Sequence, residues 1–193
     1  MACAERVGLR SAVAHLWLCP GPALAAQAPR FLAALHPSEH TDRHDRALGR
    51  AALRAVLARY LGCAPSEVEI SRRCPECGGD HGPPRVPGLH ASISYTDGLV
   101  AIAVADRPVG VDVELVRPDF EWEPVARAVL PDAADLACAR GFFAAWTAHE
   151  ALGKALGTGL TLDGEALLRA APGTTATANW RWGNRHVGAL AVI

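Results

Sequence analysis

The stretch ASISYTDGLVAIAVADRPVGVDVEL, residues 91–115, decides the predicted fold because it contains three apolar runs separated by two turn sequences. The runs Ala91–Ser94, Leu99–Ala105 and Val109–Leu115 are rich in small and β-branched residues, which favours strands. Asp97-Gly98 and Arg107-Pro108 are typical of tight turns. The segment therefore predicts three consecutive β-strands.

The sequence on either side predicts both helices and further strands. Helical spacing of apolar residues predicts a helix over Arg43–Leu61, ended by Gly62. By the same criteria we expect one helix within Ala23–Leu35 and two helices within Pro131–Leu156. We expect an edge strand at Val13–Cys19 and further strands at Val68–Ser71, Thr175–Trp182 and Val187–Ile193. A loop is expected at Cys74–Pro87.

A helix followed by a hairpin occurs in each half of the chain, and Leu99–Ala105 resembles Val187–Ile193 in its pattern of small and β-branched residues. We therefore predict an α+β protein of two pseudo-symmetric lobes, residues 1–105 and 106–193, with the active site in the cleft between them. A length of 193 residues is enough for one compact two-lobed unit.

The composition excludes several classes of protein. Hydrophobic residues make up 50% and charged residues 20%, which excludes a disordered chain. The net charge of -1 excludes a uniformly basic nucleic-acid binder, and no apolar run reaches the length of about 18 residues that a membrane span needs. His15 and Cys19-Pro20 interrupt the N-terminal apolar stretch, which argues against a signal peptide, and six Cys are too few for a disulfide scaffold. We expect a cytoplasmic monomer.

The last predicted strand of the opening segment carries two acids, Asp112 and Glu114, in Gly110-Val111-Asp112-Val113-Glu114. Side chains alternate along a strand, so both carboxylates are expected on one face while the valines enter the core. A divalent cation such as Mg²⁺ would relieve their repulsion. Two ordinary charges on a solvent-facing strand are the alternative.

The only lysine among the 19 basic residues is Lys154, which stands in Trp146-Thr-Ala-His149-Glu150-Ala-Leu-Gly-Lys154. Trp146, Glu150 and Lys154 are spaced i, i+4 and i+8, so they share a helix face. Glu150 and Lys154 are either an ordinary exposed pair or a functional pair in which a compact ammonium does what a guanidinium cannot.

These two motifs, with Ser92-Ile93-Ser94-Tyr95-Thr96 ahead of them, resemble in order and spacing the signatures of the 4′-phosphopantetheinyl transferase family in its two-lobed, single-chain form. The resemblance covers about Arg43 to Leu160. It implies transfer of the phosphopantetheine arm of coenzyme A to a serine of an acyl or peptidyl carrier protein, with release of 3′,5′-ADP. Such carriers serve fatty acid, polyketide and nonribosomal peptide biosynthesis.

The resemblance also implies residue roles. Asp112, Glu114 and Glu150 would hold Mg²⁺, Glu150 or a water it orients would act as general base, and Lys154 would reach the phosphates and assist catalysis. The implied coenzyme A contacts are Arg46, Arg54, Arg85, Ser94, Tyr95 and Lys154. The arginines at 43, 46, 50 and 54 could equally be a solvated helix face.

The chain departs from the family pattern at three positions: Tyr95 replaces a histidine, His149 a lysine, and Pro83 the lysine of a Gly-Lys-Pro segment. These departures weaken contacts to coenzyme A but leave the acids intact. A divergent relative that binds coenzyme A or a carrier protein without catalysis, or that acts on carrier-bound substrates in another way, is therefore the alternative function.

The loop Cys74-Pro-Glu-Cys77-Gly-Gly-Asp-His81 leaves two interpretations open. Cys74, Cys77 and His81 could be zinc ligands, with Cys63 as a fourth, although a second Cys-x-x-Cys is absent. The alternative is a loop that leads the chain over the nucleotide towards His81 and Arg85.

Overall fold

A computed structural model describes residues 4–9, 12–39, 44–74, 77–130, 136–158, 164–172 and 175–193. The strands are β1 (Ala4–Leu9), β2 (Ala12–Pro20), β3 (Arg85–Val86), β4 (Leu89–Thr96), β5 (Leu99–Ala105), β6 (Val109–Leu115), β7 (Ala176–Trp182) and β8 (His186–Val192). The α-helices are α1 (Gly21–Ala25), α2 (Ala28–Leu32), α3 (His44–Leu61), α4 (Glu123–Val129), α5 (Ala139–Leu156) and α6 (Gly164–Ala170). Short 3-10 helices lie at Pro37–Glu39 and Pro65–Glu67.

The strands form two antiparallel sheets. One has five strands in the order β1-β2-β5-β4-β3, and the other has three in the order β6-β8-β7. The predicted α+β class is confirmed, since helices pack on both sheets. All strands of the first sheet lie in residues 4–105 and those of the second in 109–192. The division into two pseudo-symmetric lobes with a cleft between them stays a prediction.

Strand β5 lies at the centre of the protein and explains the layering. All seven residues of its apolar run are buried. Val100, Ile102 and Val104 pack with residues of α3, whereas the odd-numbered residues pack with Val111 and Val113 of β6. Because side chains alternate along a strand, this one strand contributes to two separate cores. The layers are therefore α3, the five-stranded sheet, the three-stranded sheet and α5.

Helix α5 covers the other face of the three-stranded sheet. Ala151, Leu152 and Ala155 pack with Ala189 and Ala191 of β8. The helix ends at Gly157, whose φ of 76° is the left-handed conformation that favours glycine at a C-terminal cap. Glu150 and Lys154 are thereby placed on a helix held against β6.

Four predicted elements need correction, and the structure contains further elements that the sequence analysis did not predict. Val13–Cys19 is not an edge strand, because β1 pairs with it from Ala4 to Leu9. Val68–Ser71 is not a strand: it forms only an isolated bridge from Ser71 to Arg85, and the strand β3 that it meets is two residues long. Besides β1, the short strand β3 and helix α6 were not predicted.

The helices predicted within Ala23–Leu35 and Pro131–Leu156 also differ. The first is two short helices, α1 and α2, separated by a turn at 26–27. The second contains α5 alone among its described residues, and the preceding helix is α4, which lies before Pro131; residues 131–135 lie outside the described part. Pro124 in the first turn of α4 suits a helix start, a signal that the sequence analysis did not use. In the described part, no helix is long and apolar enough to cross a membrane.

Candidate active site

Asp112 and Lys154 meet between β6 and α5. The Lys154 Nζ donates a 2.7 Å hydrogen bond to Asp112 Oδ1 and a 3.1 Å hydrogen bond to the carbonyl oxygen of Val111. The Asp112 side chain is 7% exposed and that of Lys154 is 29% exposed. The lysine therefore neutralises a buried carboxylate while its own ammonium stays partly open to solvent.

Gly110 allows α5 to lie this close to β6. A Cβ atom added at Gly110 would lie 1.8 Å from the carbonyl oxygen of Ala151, a helix backbone atom that cannot rotate away. The side chains at 110, 112 and 114 share the strand face that is turned to α5. The glycine of the Gly-Val-Asp-Val-Glu motif is thus required by packing between the two elements that carry the site.

Glu114 and Glu150 have carboxyl groups that hold protons unusually well. Burial, the largest cause, and the charges of Asp112 and Glu150 together raise the pKa of Glu114 to about 7, against the opposing effect of Arg117 and Lys154. Burial also raises the pKa of Glu150, followed by the charge of Asp112, while Lys154 lowers it. Three acids thus repel one another around a single lysine, which is the electrostatic situation that a cation relieves.

The Asp112 carboxylate fits a metal ligand in one further respect. Its Oδ2 atom is buried and has no hydrogen-bond partner among the described residues, although Oδ1 has two. An unpaired buried carboxylate oxygen is costly, and a hard divalent cation is the kind of partner it prefers. The oxygens of Asp112, Glu114 and Glu150 do not all lie within 4.8 Å of one another, since within the described ranges only Cys74, Cys77 and His81 do so. The residue types fit Mg²⁺, and the carboxylates would move together to hold it.

Hydroxyl groups of β4 attach β6 to the five-stranded sheet. The side-chain oxygens of Ser92, Ser94 and Thr96 accept hydrogen bonds from the backbone N–H groups of Val111, Val113 and Leu115, at 3.1, 3.3 and 3.0 Å. β6 is an edge strand of its own sheet, so these donors lack backbone partners there. The Ser-x-Ser-x-Thr alternation satisfies them and fixes the register of β6 against β4.

A pocket of 540 Å³ adjoins Lys154. It is lined by residues of α3, of the loop before β3, of β4, and of the end of α5. The cationic side chains among them are those of Arg46, Arg50, Arg72, Arg85 and Lys154. Because most of the lining charge is positive, the pocket is suited to a ligand that carries several negative charges.

The motif segments coincide with the match to known proteins. The model of the 4′-phosphopantetheinyl transferase superfamily matches residues 108–177, a range that contains β6, α5 and all three acids. The chain is 31% identical over 167 residues to the 4′-phosphopantetheinyl transferase HetI of a Nostoc species, covering 76% of this chain and 69% of that protein. The chain belongs to the 4′-phosphopantetheinyl transferase family. It is also 25% identical to a putative 4′-phosphopantetheinyl transferase of a Synechocystis species, over 76% of this chain and 66% of that protein.

Of the coenzyme A contacts implied by the likeness to phosphopantetheinyl transferases, Arg46, Arg85, Tyr95 and Lys154 all line the 540 Å³ pocket. The structure thus brings together residues that are more than a hundred positions apart in the sequence. Their role in binding coenzyme A stays a prediction.

Arg54, another of the implied coenzyme A contacts, lies elsewhere. It is 4% exposed, and its Nε donates to Glu39 Oε2. Its Nη1 donates to the carbonyl oxygens of Val68 at 2.7 Å and Pro65 at 3.1 Å. In this structure Arg54 ties α3 to the segments at 39 and 65–68, and it does not line the pocket beside Lys154.

Ser94 contacts the acids directly. Its hydroxyl donates a 2.7 Å hydrogen bond to Asp112 Oδ1 and accepts one from the N–H of Val113. Ser94 is 5% exposed, so its hydroxyl is a neighbour of the candidate metal ligands and not a surface donor. The structure shows a contact of Ser94 with Asp112, and the implied contact of Ser94 with coenzyme A stays a prediction.

Tyr95 packs on α3 at a glycine. A Cβ atom at Gly49 would lie 2.1 Å from Cε1 of the Tyr95 ring. The phenol also hydrogen-bonds Arg72, while burial lowers the pKa of that guanidinium from its usual value. Two nitrogens of Arg72, Nε and Nη2, are buried and find no hydrogen-bond partner in the part of the chain that the structure describes.

Arg72 was not predicted as a site residue, although it lines the pocket. The signal available in the sequence was its position at the start of the Gly- and Cys-rich loop.

His149 and Trp146 lie on α5 next to Glu150. The two rings stack with centroids 6.3 Å apart, and His149 is 8% exposed. His149 therefore belongs to the packed side of the helix. The ordinary i, i+4 ion pair between Glu150 and Lys154 was one of two alternatives from the sequence, and in this structure the Lys154 ammonium pairs with Asp112 instead.

Proposed function

We propose that the protein transfers the 4′-phosphopantetheine arm of coenzyme A to a serine of an acyl or peptidyl carrier protein. Membership of the phosphopantetheinyl transferase family supports the reaction type. The observation that carries the assignment is the group of Asp112, Glu114 and Glu150 beside Lys154, at the edge of a pocket rich in arginine.

Asp112, Glu114 and Glu150 would hold the Mg²⁺ ion. The unpartnered Oδ2 of Asp112 and the raised pKa values of Glu114 and Glu150 support this set of ligands. When bound, Mg²⁺ would neutralise charge on the pyrophosphate oxygens of coenzyme A. Ser94 and Lys154 would orient Asp112 by holding its Oδ1, which leaves Oδ2 for the metal.

The arginines of the pocket would bind the phosphates of the nucleotide. Arg46 of α3 and Arg85 of β3 approach the pocket from different elements. Guanidinium groups form paired hydrogen bonds to phosphate, which favours their use here over a single point charge. Lys154, the remaining cation of the pocket, would contact the phosphate nearest the acids.

The chemistry is an in-line displacement at phosphorus. The carrier serine oxygen would bond to the phosphorus next to the pantetheine arm as the bond from that phosphorus to the 3′,5′-ADP oxygen breaks. Glu150, or a water it orients, would take the serine proton, a role favoured by a pKa shifted upward towards neutrality. Lys154 would stabilise charge on the departing phosphate oxygen.

The test is to incubate the protein with coenzyme A, Mg²⁺ and an apo carrier protein and to measure the mass of the intact carrier by mass spectrometry. We expect the carrier mass to rise by one phosphopantetheine, and Asp112→Asn and Glu150→Gln to abolish the rise. Glu123→Gln, at an exposed acid on α4, is the matched control and should transfer at the parent rate.

Calorimetry with coenzyme A separates the alternatives. Tight binding without any mass gain, across several carrier proteins, would favour a non-catalytic binder. Absence of both binding and transfer would remove the assignment altogether.

A further inference from the structure

A second cluster of ligand atoms lies in the loop between Ser71 and Arg85. Cys74 Sγ, Cys77 Sγ and a ring nitrogen of His81 all lie within 4.8 Å of one another. His81 Nε2 and Cys77 Sγ are 2.9 Å apart. No other set of three His, Cys, Asp or Glu residues meets this criterion within the ranges that the structure describes. The acids of the candidate active site are therefore not part of this cluster.

The backbone of the loop is arranged around the two sulfurs. Gly78 N–H donates to the carbonyl oxygen of Cys74 at 2.9 Å, and Cys74 N–H donates to that of Gly79 at 2.8 Å. Gly79 N–H donates to Cys77 Sγ at 3.4 Å. Gly78 has a φ of 73°, which a residue with a side chain rarely adopts. These backbone hydrogen bonds link Cys74 to the Gly78-Gly79 side of the loop, next to Cys77.

We propose that Cys74, Cys77 and His81 bind a zinc ion. Two thiolates and an imidazole are soft and borderline donors, which suit Zn²⁺ and do not suit Mg²⁺. Tetrahedral coordination would place sulfur and nitrogen about 3.5 Å apart, so the Cys77–His81 pair needs to open only slightly from its present separation. Cys77 and His81 are exposed, which gives the ion a path of entry.

The fourth position of the ion is left for water or an added ligand. Cys63, the fourth ligand considered from the sequence, is not part of the cluster. Three protein ligands with one open position differ from the closed four-ligand sites of zinc fingers.

The ion would act by holding the loop that borders the pocket. The two arms of the loop are joined at its base, where Ser71 and Arg85 exchange hydrogen bonds of 3.0 and 2.8 Å and Gly82 N–H donates to Arg72 O at 2.6 Å. Cys74 and His81 themselves line the 540 Å³ pocket with Arg72 and Arg85. A metal at the tip would close the loop at its other end and fix the two arginines relative to α3.

The test measures the metal content of the protein and its absorption spectrum after zinc is replaced by Co²⁺. The full chain is expressed in zinc-supplemented medium and purified with a thiol reductant. Its zinc content is then measured by inductively coupled plasma mass spectrometry. We expect one zinc ion per chain, and near-background zinc in Cys77→Ser and His81→Asn. Cys138→Ser, at an exposed cysteine outside the cluster, is the matched control and should keep the ion.

Replacement of zinc by Co²⁺ should add a near-ultraviolet thiolate-to-metal absorption band that Cys77→Ser weakens and Cys138→Ser leaves unchanged. Removal of the metal by a chelator should speed hydrogen exchange in residues 72–85 more than in α3. A parent protein with no more zinc than Cys77→Ser, or a Cys74–Cys77 disulfide that persists under reductant, would overturn the proposal. None of these measurements depends on transferase activity.

Discussion

Lys154 joins the two parts of the candidate site. Its ammonium contacts the buried carboxylate of Asp112 and the carbonyl oxygen of Val111, and its side chain also borders the arginine-lined pocket. An ammonium is compact and can direct its three donors to separate acceptors, whereas a guanidinium is planar and wider. This geometry favours a specific need for lysine at 154 in a chain whose other basic residues are all arginine.

The first prediction is that Lys154→Arg lowers the transfer rate by at least about tenfold, equivalent to about 1.4 kcal/mol in the barrier. The wider guanidinium would displace Asp112 from its hydrogen bond with Lys154 and shift the carboxylate that is proposed to hold the metal. The measurement is transfer to an apo carrier protein at saturating coenzyme A and Mg²⁺. Arg127→Lys, at an exposed arginine on α4, should be silent. A Lys154→Arg protein as fast as the parent would show that charge alone is needed.

The second prediction concerns Glu114. Its pKa is about 7 in the folded protein against an ordinary value of 4.5, so the folded state binds this proton more tightly than the unfolded state does. Its contribution to stability is therefore complete below about pH 4.5 and is lost as the pH rises through about 7. We expect the metal-free protein to lose thermal stability over this range and Glu114→Gln to reduce the loss. Thermal melts in a chelator from pH 4.5 to 7.5 measure it. Parallel curves for Glu114→Gln and the parent would contradict the prediction.

At the scale of elements, the site depends on how closely α5 approaches β6 and on how β6 is held to β4. The first contact requires a residue without a side chain at 110, and the second requires hydroxyls at alternate positions of β4. Both requirements are met by short side chains, which is why these strands contain Gly, Ser and Thr among their valines.

The third prediction is that Gly110→Ala destabilises the protein by about 1–3 kcal/mol, the usual range for overpacking. The added methyl would meet the Ala151 carbonyl at 1.8 Å, so α5 must move away from β6. The control is Gly141→Ala in α5, where there is room for a methyl and the helix should be stabilised by up to about 1 kcal/mol. Chemical denaturation measures both changes. Similar small effects for the two variants would mean that α5 is not packed against β6 in this way.

The fourth prediction separates the two functions of the β4 hydroxyls. Ser94→Ala leaves the N–H of Val113 without its acceptor, which should cost about 1–3 kcal/mol, and it also removes a hydrogen bond from Asp112. Thr96→Val keeps the shape but removes only the acceptor for Leu115 N–H. Both variants should unfold more easily, and only Ser94→Ala should lower the transfer rate. Equal transfer rates in the two variants would remove the positioning role of Ser94.

At the scale of the molecule, the pocket is lined from both sheets. Arg46 on α3 and Tyr95 on β4 belong to the part built on the five-stranded sheet, while Val109 and Lys154 belong to the part built on the three-stranded sheet. A ligand in this pocket therefore contacts both parts, and its binding energy adds to the contacts between the sheets.

The fifth prediction follows from this placement. Coenzyme A with Mg²⁺ should raise the unfolding temperature, and at a ligand concentration of 100 times its dissociation constant the stabilisation should be about 2.7 kcal/mol. Mg²⁺ should increase the stabilisation by coenzyme A in the parent protein and not in Asp112→Asn. The measurement is a thermal melt at several ligand concentrations. If coenzyme A raised the unfolding temperature of the parent protein equally with and without Mg²⁺, coenzyme A binding would not depend on a metal held by the acids.

Several features of this protein follow from local sequence. The run Leu99–Ala105 is a strand at the predicted limits, as is Val109–Leu115, because uninterrupted small and β-branched residues between turn sequences favour extended backbone. Alternation along β6 and the helical spacing of α5 correctly place Asp112, Glu114, Glu150 and Lys154 on the facing sides of two elements. The partners of these residues could not be derived in this way: helical spacing paired Lys154 with Glu150, and the structure pairs it with Asp112.

The tertiary structure alone decides which groups are buried and which remain available. Arg54 and Arg46 lie on the same helix and were both implied as coenzyme A contacts, yet Arg54 is enclosed by Glu39 and two carbonyls while Arg46 lines the pocket. Ser94 is directed to Asp112 by the register of β4 against β6, which long-range packing sets. Local pattern determines elements and faces because it depends on neighbouring residues, whereas burial and pairing depend on residues far apart in the chain that meet only on folding.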